Sequence, residues 1–185
     1  MENRSVKRMQ LYALSLAGPF GYWLASGRTI EPFGEKEIEL RTWTRSSDFV
    51  EKNILVLIHI SSNTDYDHHF HKMDFTLEQA PKFSLVGAAV LKEIILYDQE
   101  KLWKRDRRRT CWVGDEDYET IYAEYSGKLY GHVFTEPLLF DPPILNVPGD
   151  RGYWRPNPKK EKQFERQQVG FAAAIARIKE MRGNA

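Results

Sequence analysis

The sequence predicts an α+β fold: a small mixed β-barrel flanked by helices, followed by a C-terminal amphipathic helix. Three observations carry this reading. Strand-like segments alternate with helical ones of unequal length. Prolines and glycines punctuate the joins, as in small barrels built from short strands. The last long segment, 159–182, carries an apolar stripe at helical spacing.

Taken in order, residues 18–27 predict a short helix. Pro19 suits a first helical turn, Phe20, Trp23 and Leu24 share a face, and Gly27 fits the position just past the end. Residues 37–43 alternate charged and apolar side chains, the period of a half-buried strand. Residues 54–60 contain an unbroken apolar run, as expected of a strand covered on both faces. A polar stretch follows from Ser61 to Lys82, with a helix expected near Phe75–Ala80. Residues 83–91 and 94–97 read as one long strand, bent at Gly87 or at Lys92-Glu93. The charged segment 98–119 divides between helix and loop, and residues 121–125 read as a helix end stopped by Ser126-Gly127. Residues 129–134 and 138–140 are further strands, and Pro142-Pro143 argues against a central strand at that point. In the final helix, Phe164, Phe171, Ile175, Ile178 and Met181 form the stripe. The expected organisation is a domain over 1–156 and a helical extension over 157–185 packing on it.

Residues 34–41, Gly-Glu-Lys-Glu-Ile-Glu-Leu-Arg, have the spacing G-x-K-x-x-E-x-R. In a strand, Glu37, Glu39 and Arg41 point one way while Ile38 and Leu40 point the other. Lys36 stands at the strand mouth, after a glycine free to adopt an unusual turn. An ammonium, a carboxylate and a guanidinium on one face can grip a polar, partly anionic ligand. The same pattern also fits an exposed strand face with cross-strand ion pairs.

This octapeptide resembles the signature of the ASCH family, a branch of the PUA-like fold. The resemblance extends upstream to Ala13-Leu14-Ser15-Leu16, Gly18-Pro19-Phe20 and Trp23-Leu24-Ala25-Ser26-Gly27. Downstream it takes in Leu57-Ile58-His59-Ile60-Ser61-Ser62 and the run from Pro143 to Trp154. The blocks keep the family's order over roughly residues 11–155. Two departures mark this chain. Arg28–Phe33 intervene before the octapeptide, with Gly27-Arg28-Thr29-Ile30-Glu31 as a competing register, and the segment after Ser62 is longer and richer in histidine. The resemblance implies a PUA-like (ASCH) barrel with a cleft lined at the positions of Lys36, Glu39 and Arg41. It also implies two classes of activity. One is nucleic-acid binding. The other is hydrolysis, either of RNA or of acylated nucleosides. In the acylated-nucleoside subgroup Lys36 fits the family lysine, but Glu39 stands where a threonine nucleophile is expected; Thr42, Ser61 and Ser62 remain as other hydroxyls.

Composition narrows the field. The chain has 185 residues, 42% hydrophobic, which suffices for a core. Its net charge of +1 gives no bulk attraction to nucleic acid, so such binding must rest on local patches. The single cysteine, Cys111, excludes an internal disulfide framework and fits a packed side chain in a reducing compartment. No run reaches the ~18–20 apolar residues of a membrane span, and the first twenty residues lack a convincing signal-peptide pattern. A cytoplasmic protein with no membrane partner and no cofactor is expected.

Other candidates follow from local chemistry. Trp43 could stack on a base or simply pack. Residues 101–109 set six basic groups around Trp103, among them Lys104 and Arg105. That pattern suits a phosphate-tracking surface with a stacking platform, or else a charged face neutralised by the Asp115-Glu116-Asp117 run. Arg151, Trp154, Arg155, Lys159 and Lys160 form a second basic and aromatic group. His68, His69 and His71 lack the helical i, i+4 pairing of a zinc motif, so no metal is expected. The sequence therefore points first to a module binding RNA or single-stranded nucleic acid through Lys36, Glu39, Arg41, Trp43, Trp103, Lys104, Arg105 and Arg151. A hydrolase would use Lys36 and Glu39 without metal. A protein partner or a second copy could dock on the 159–182 helix.

Overall fold

The computed structural model describes residues 11–44, 53–112 and 116–183. Its strands are β1 (Tyr12–Leu16), β2 (Thr29–Ile30), β3 (Gly34–Glu35), β4 (Ile38–Arg41), β5 (Ile54–Ile60), β6 (Ser84–Leu96), β7 (Tyr130–Ile144) and β8 (Tyr153–Trp154). The α-helices are α1 (Gly18–Ser26), α2 (Glu100–Thr110), α3 (Tyr118–Glu124) and α4 (Glu161–Gly183), with a 3-10 helix at Asp67–Met73. The fold is α+β.

Six strands form one mixed sheet in the order β4-β7-β6-β5-β1-β8, and β2 and β3 make a separate hairpin. β1 runs parallel to β5, and the other neighbours in the large sheet are antiparallel. The continuous apolar run of β5 is buried at all seven positions. Both faces of the sheet are covered: Val56 and Ile58 pack with Leu14, Leu16 and Trp23 on the α1 side, while Leu55 and Leu57 pack with Trp154, Phe171 and Ile178 on the α4 side. A third cluster joins α2 and α3 to β4 through Ile38, Leu40, Trp103, Tyr118 and Ile121.

β6 and β7 are long and slip register at three places, including Gly87 and the Leu91–Glu93 step. Such bulges bend strands and increase their twist, and the sheet curls into a half-barrel. Its two edge regions meet through side chains. Arg41 Nη2 donates to the Ser15 carbonyl at 2.9 Å. His132 Nδ1 lies 2.7 Å from the Tyr153 hydroxyl. The Trp43 edge meets both rings, at 5.0 and 5.5 Å between centroids.

Several details correct the sequence reading. β7 continues through Pro142 and Pro143 to Ile144. There it has left β4, which pairs only with 130–133, and Leu85 faces Ile144 while Gly87 faces Leu139. The prolines thus occupy an irregular stretch that needs no donor from them. No helix forms at Phe75–Ala80; the polar stretch instead holds the 3-10 helix. β1 and the β2–β3 hairpin were not anticipated as strands. In α4 the buried positions are Gln167, Gly170, Phe171, Ala174 and Ile178, whereas Ile175 is exposed. The first ten residues and Asp115 lie outside the described residues. Among the described residues no helix is long and apolar enough to cross a membrane.

Candidate functional site

A cavity of about 540 Å³ opens beside β4, bounded by α1, the segment 61–72, the end of α2 and the end of α3. Lys36, Glu39 and Arg41 all line it, so the octapeptide does bring its three charged groups together. The alternation of β4 explains how: Ile38 and Leu40 turn into the apolar cluster, and Glu39 and Arg41 turn the other way.

The three groups are not equivalent. Lys36 is only 5% exposed. Its ammonium donates to the carbonyls of Ile38 at 3.0 Å and Thr110 at 3.1 Å, and pairs with Glu39 Oε2 at 3.1 Å. Those three acceptors use all three of its hydrogens. Lys36 thus lines the cavity with its ammonium already bonded on three sides, one of them Glu39. Glu39 lies between Lys36 and Arg41, whose Nη2 is 3.2 Å from Oε1. Burial pushes the Glu39 carboxyl up, but the neighbouring Lys36 and Arg41 charges outweigh it and hold the carboxyl below its usual range. The result is a fixed carboxylate at the cavity edge. Arg41 reaches the Ser15 carbonyl and Glu39 through Nη2, while its buried Nε has no partner among the described residues.

Aromatic surface completes the cavity through Phe20, Tyr66, Trp112 and Tyr125. Burial, and then the Glu39 charge, push the Tyr125 phenol up, so it stays a neutral donor. Cys111 also lines the cavity, and burial pushes its thiol up to about 12. It is no nucleophile at neutral pH. Of Thr42, Ser61 and Ser62, only Ser61 lines the cavity; its oxygen accepts from the Asn63 amide at 3.3 Å, and among the described residues no general base is bonded to it.

The other expected contacts lie elsewhere. Trp103 is a correction: at 1% exposure it packs edge-on between Tyr97 and Trp112, and no face is left for a base. Trp43 closes the half-barrel and does not line the cavity. Lys104 pairs with Glu100 at 2.8 Å on the exposed side of α2. Arg105 and Arg109 both bind the buried Asp106, and Arg109 also pairs with Glu37. Lys104, Arg105 and Arg109 are thus paired with Glu100, Asp106 and Glu37, while Arg107 acts on Glu116 of the downstream acidic run. Arg151 is exposed and does not line the cavity. His59 is a buried structural histidine, bonded to Ser15 Oγ at 3.0 Å and to the Val147 carbonyl at 2.8 Å. Among the described residues no group of three histidine, cysteine or carboxylate side chains is arranged to hold a metal.

Sequence reasoning missed Phe20, Tyr66, His69, Lys72 and Tyr125 as cavity residues. The one usable signal was the histidine-rich segment after Ser62.

No family model matches the chain, and no curated protein matches it. Among solved structures it is similar to ASCH from Zymomonas mobilis, at 16% identity and a TM-score of 0.48, covering 83% of this chain and 91% of that one. Two single-residue mutants of that protein are also similar, at 14% and 16% identity. They cover 82% and 83% of this chain and 95% and 94% of theirs, each with a TM-score of 0.48.

Proposed function

We propose that the chain binds single-stranded or looped nucleic acid, RNA in particular, by admitting one unstacked nucleotide into the cavity beside β4. The observation that carries this reading is the pairing of a fixed carboxylate with aromatic walls in a space of nucleotide size. Small-molecule sites commonly enclose ~300–1,000 Å³ with few, well-placed polar groups, and this cavity measures about 540 Å³. Glu39 accepts from the amino or imino edge of a base, and Arg41 donates to a carbonyl oxygen. Phe20, Tyr66 and Tyr125 offer faces on which a splayed base stacks. Lys36 holds Glu39 in register and stays out of contact with the ligand.

Titration of a fluorescent single-stranded RNA and a matched duplex at low salt tests the proposal. Binding of the single strand, weakened as salt rises and lost in Arg41→Ala, is the expected result. If neither RNA binds, the reading fails. Incubation of the same protein with RNA and with N4-acetylcytidine checks the hydrolase alternative, and turnover abolished by Lys36→Ala would favour it.

A further inference from the structure

The histidine-rich segment is the part of the sequence that the base-binding reading leaves unused. In the fold it is a wall of the same cavity: Ser61, Asn63, His69 and Lys72 all line it. The polar groups of this wall share one property. Among the described residues, each has hydrogens to give that nothing else takes up. Asn63 Oδ1 already accepts from the Asp65 amide at 2.7 Å, so its free end is the NH2 group. Ser61 Oγ accepts from the Asn63 amide, leaving its own hydrogen to donate. Among the described residues Lys72 makes no ion pair, although the neighbouring Lys82 is tied to Asp67. His69 is only 9% exposed, and its Nδ1 is buried with no hydrogen-bond partner. A buried, unsatisfied imidazole nitrogen is costly unless something completes it.

The wall is also held in shape. Lys82 Nζ donates to the Asn63 carbonyl at 2.7 Å as well as to Asp67 Oδ1 at 2.6 Å, which staples the turn to the 3-10 helix. The His69 ring is set by Tyr66, stacked at 6.2 Å, and by Phe20 at 5.7 Å. Burial, together with the charges of His68 and Lys72, keeps His69 below the usual imidazole range. The carboxylate that prepares the cavity for a base edge, Glu39, comes from β4. The donors come from the 61–72 segment.

We propose that this donor wall is a phosphate subsite, in which His69, Lys72, Ser61 and Asn63 hold the phosphate of the nucleotide whose base lies against Glu39 and Arg41. The proposal rests on the nucleotide reading above and adds the ligand class: a nucleotide, in preference to a nucleoside. Charge-assisted hydrogen bonds to phosphate are the strongest polar contacts available here, and one or two of them correspond to about tenfold or more in affinity.

Calorimetric titration of the full chain with the four ribonucleosides, their 5′- and 3′-monophosphates and the corresponding dinucleoside monophosphates tests it. At least one base should bind about tenfold more tightly with a phosphate than without. That gain should fall below about threefold in Lys72→Ala and in His69→Gln, while the nucleoside binds Lys72→Ala as it binds the parent. Lys72 is exposed, so its variant keeps the test decisive if His69→Gln does not fold. A gain with the dinucleoside monophosphates assigns the subsite to a link within a strand. A gain confined to monoesters assigns it to a free nucleotide or a chain end. Equal binding of nucleoside and nucleotide, or a gain that survives in Lys72→Ala, overturns the subsite and leaves the base site standing. Failure of nucleosides, nucleotides and single-stranded RNA alike overturns both.

Discussion

Ser15 belongs to two polar clusters, one through its carbonyl and one through its hydroxyl, and they have opposite characters. Its carbonyl accepts from Arg41 at the edge of the cavity. Its hydroxyl lies 3.0 Å from His59 Nδ1, 3.0 Å from Trp154 Nε1 and 2.9 Å from the Asp150 carbonyl. Around His59 the polar atoms face one another, with the one Ser15 hydrogen shared between the Asp150 carbonyl and His59 Nδ1. The Val147 carbonyl only accepts, so neutral His59 carries its hydrogen on Nε2 and presents Nδ1 to Ser15 as an acceptor. No space remains: a side chain added at Gly149 would come within 2.3 Å of the His59 ring. Around Glu39 the groups are equally well held, yet volume and unanswered donors remain. Burial of polar groups thus does not separate a binding site from a structural knot. Leftover hydrogen-bonding capacity facing an open volume does.

The sharpest way to break this contrast is Glu39→Leu. It strands the Lys36 ammonium in a buried pocket without its counter-charge. Removing one partner of a buried pair typically costs about 3–5 kcal/mol, and urea unfolding should register that loss. Replacing Lys36 by Met in the same chain should restore most of it, a coupling that a double-mutant cycle measures.

Next comes pH. His59 is buried and its pKa is lowered to about 4 from 6.5, by burial outweighing the bond to Val147. Unfolded chains bind the proton first as pH falls, so the stability from neutral His59 is full above pH 6.5. It is lost progressively towards pH 4, a change of about 3 kcal/mol. The pH dependence of the unfolding free energy should flatten over that window in His59→Gln. If the two proteins keep the same slope, His59 is not held neutral.

Gly149→Ala should come third, since overpacking a tight site costs about 1–3 kcal/mol. It should lower the unfolding midpoint without altering affinity for a nucleotide. Smallest is Lys104→Ala, which removes an exposed ion pair on α2. The unfolding midpoint should not move. Weaker binding of long single strands with unchanged mononucleotide affinity would show that α2 extends the site along a strand.

How far the sequence disclosed all this depends on the range of the interaction. The apolar run of β5 and the alternation of β4 are local patterns, and each yields a strand in the right place. The convergence of Lys36, Glu39 and Arg41 was also legible, because the pleat of one strand and its mouth dictate it. That Lys36 would be saturated was not legible. One of its acceptors is the Thr110 carbonyl, 74 residues away at the end of α2. Trp103 misled because its neighbours are so strongly basic. The helical period was nonetheless present: Trp103, Asp106 and Thr110 fall on one face and are the buried positions of α2. The cavity wall from the 61–72 segment is marked only by its run of histidines, since nothing local says which strand it will lie against.

Arg41 has one further consequence. A single planar fork meets the Ser15 carbonyl across the gap in the half-barrel and the Glu39 carboxylate beside the cavity. Both contacts come from Nη2, and a lysine, with the same charge on one nitrogen, has no counterpart of the Nη1 and Nε hydrogens. An exchange usually regarded as conservative would here remove the guanidinium hydrogens that remain once Ser15 and Glu39 are served.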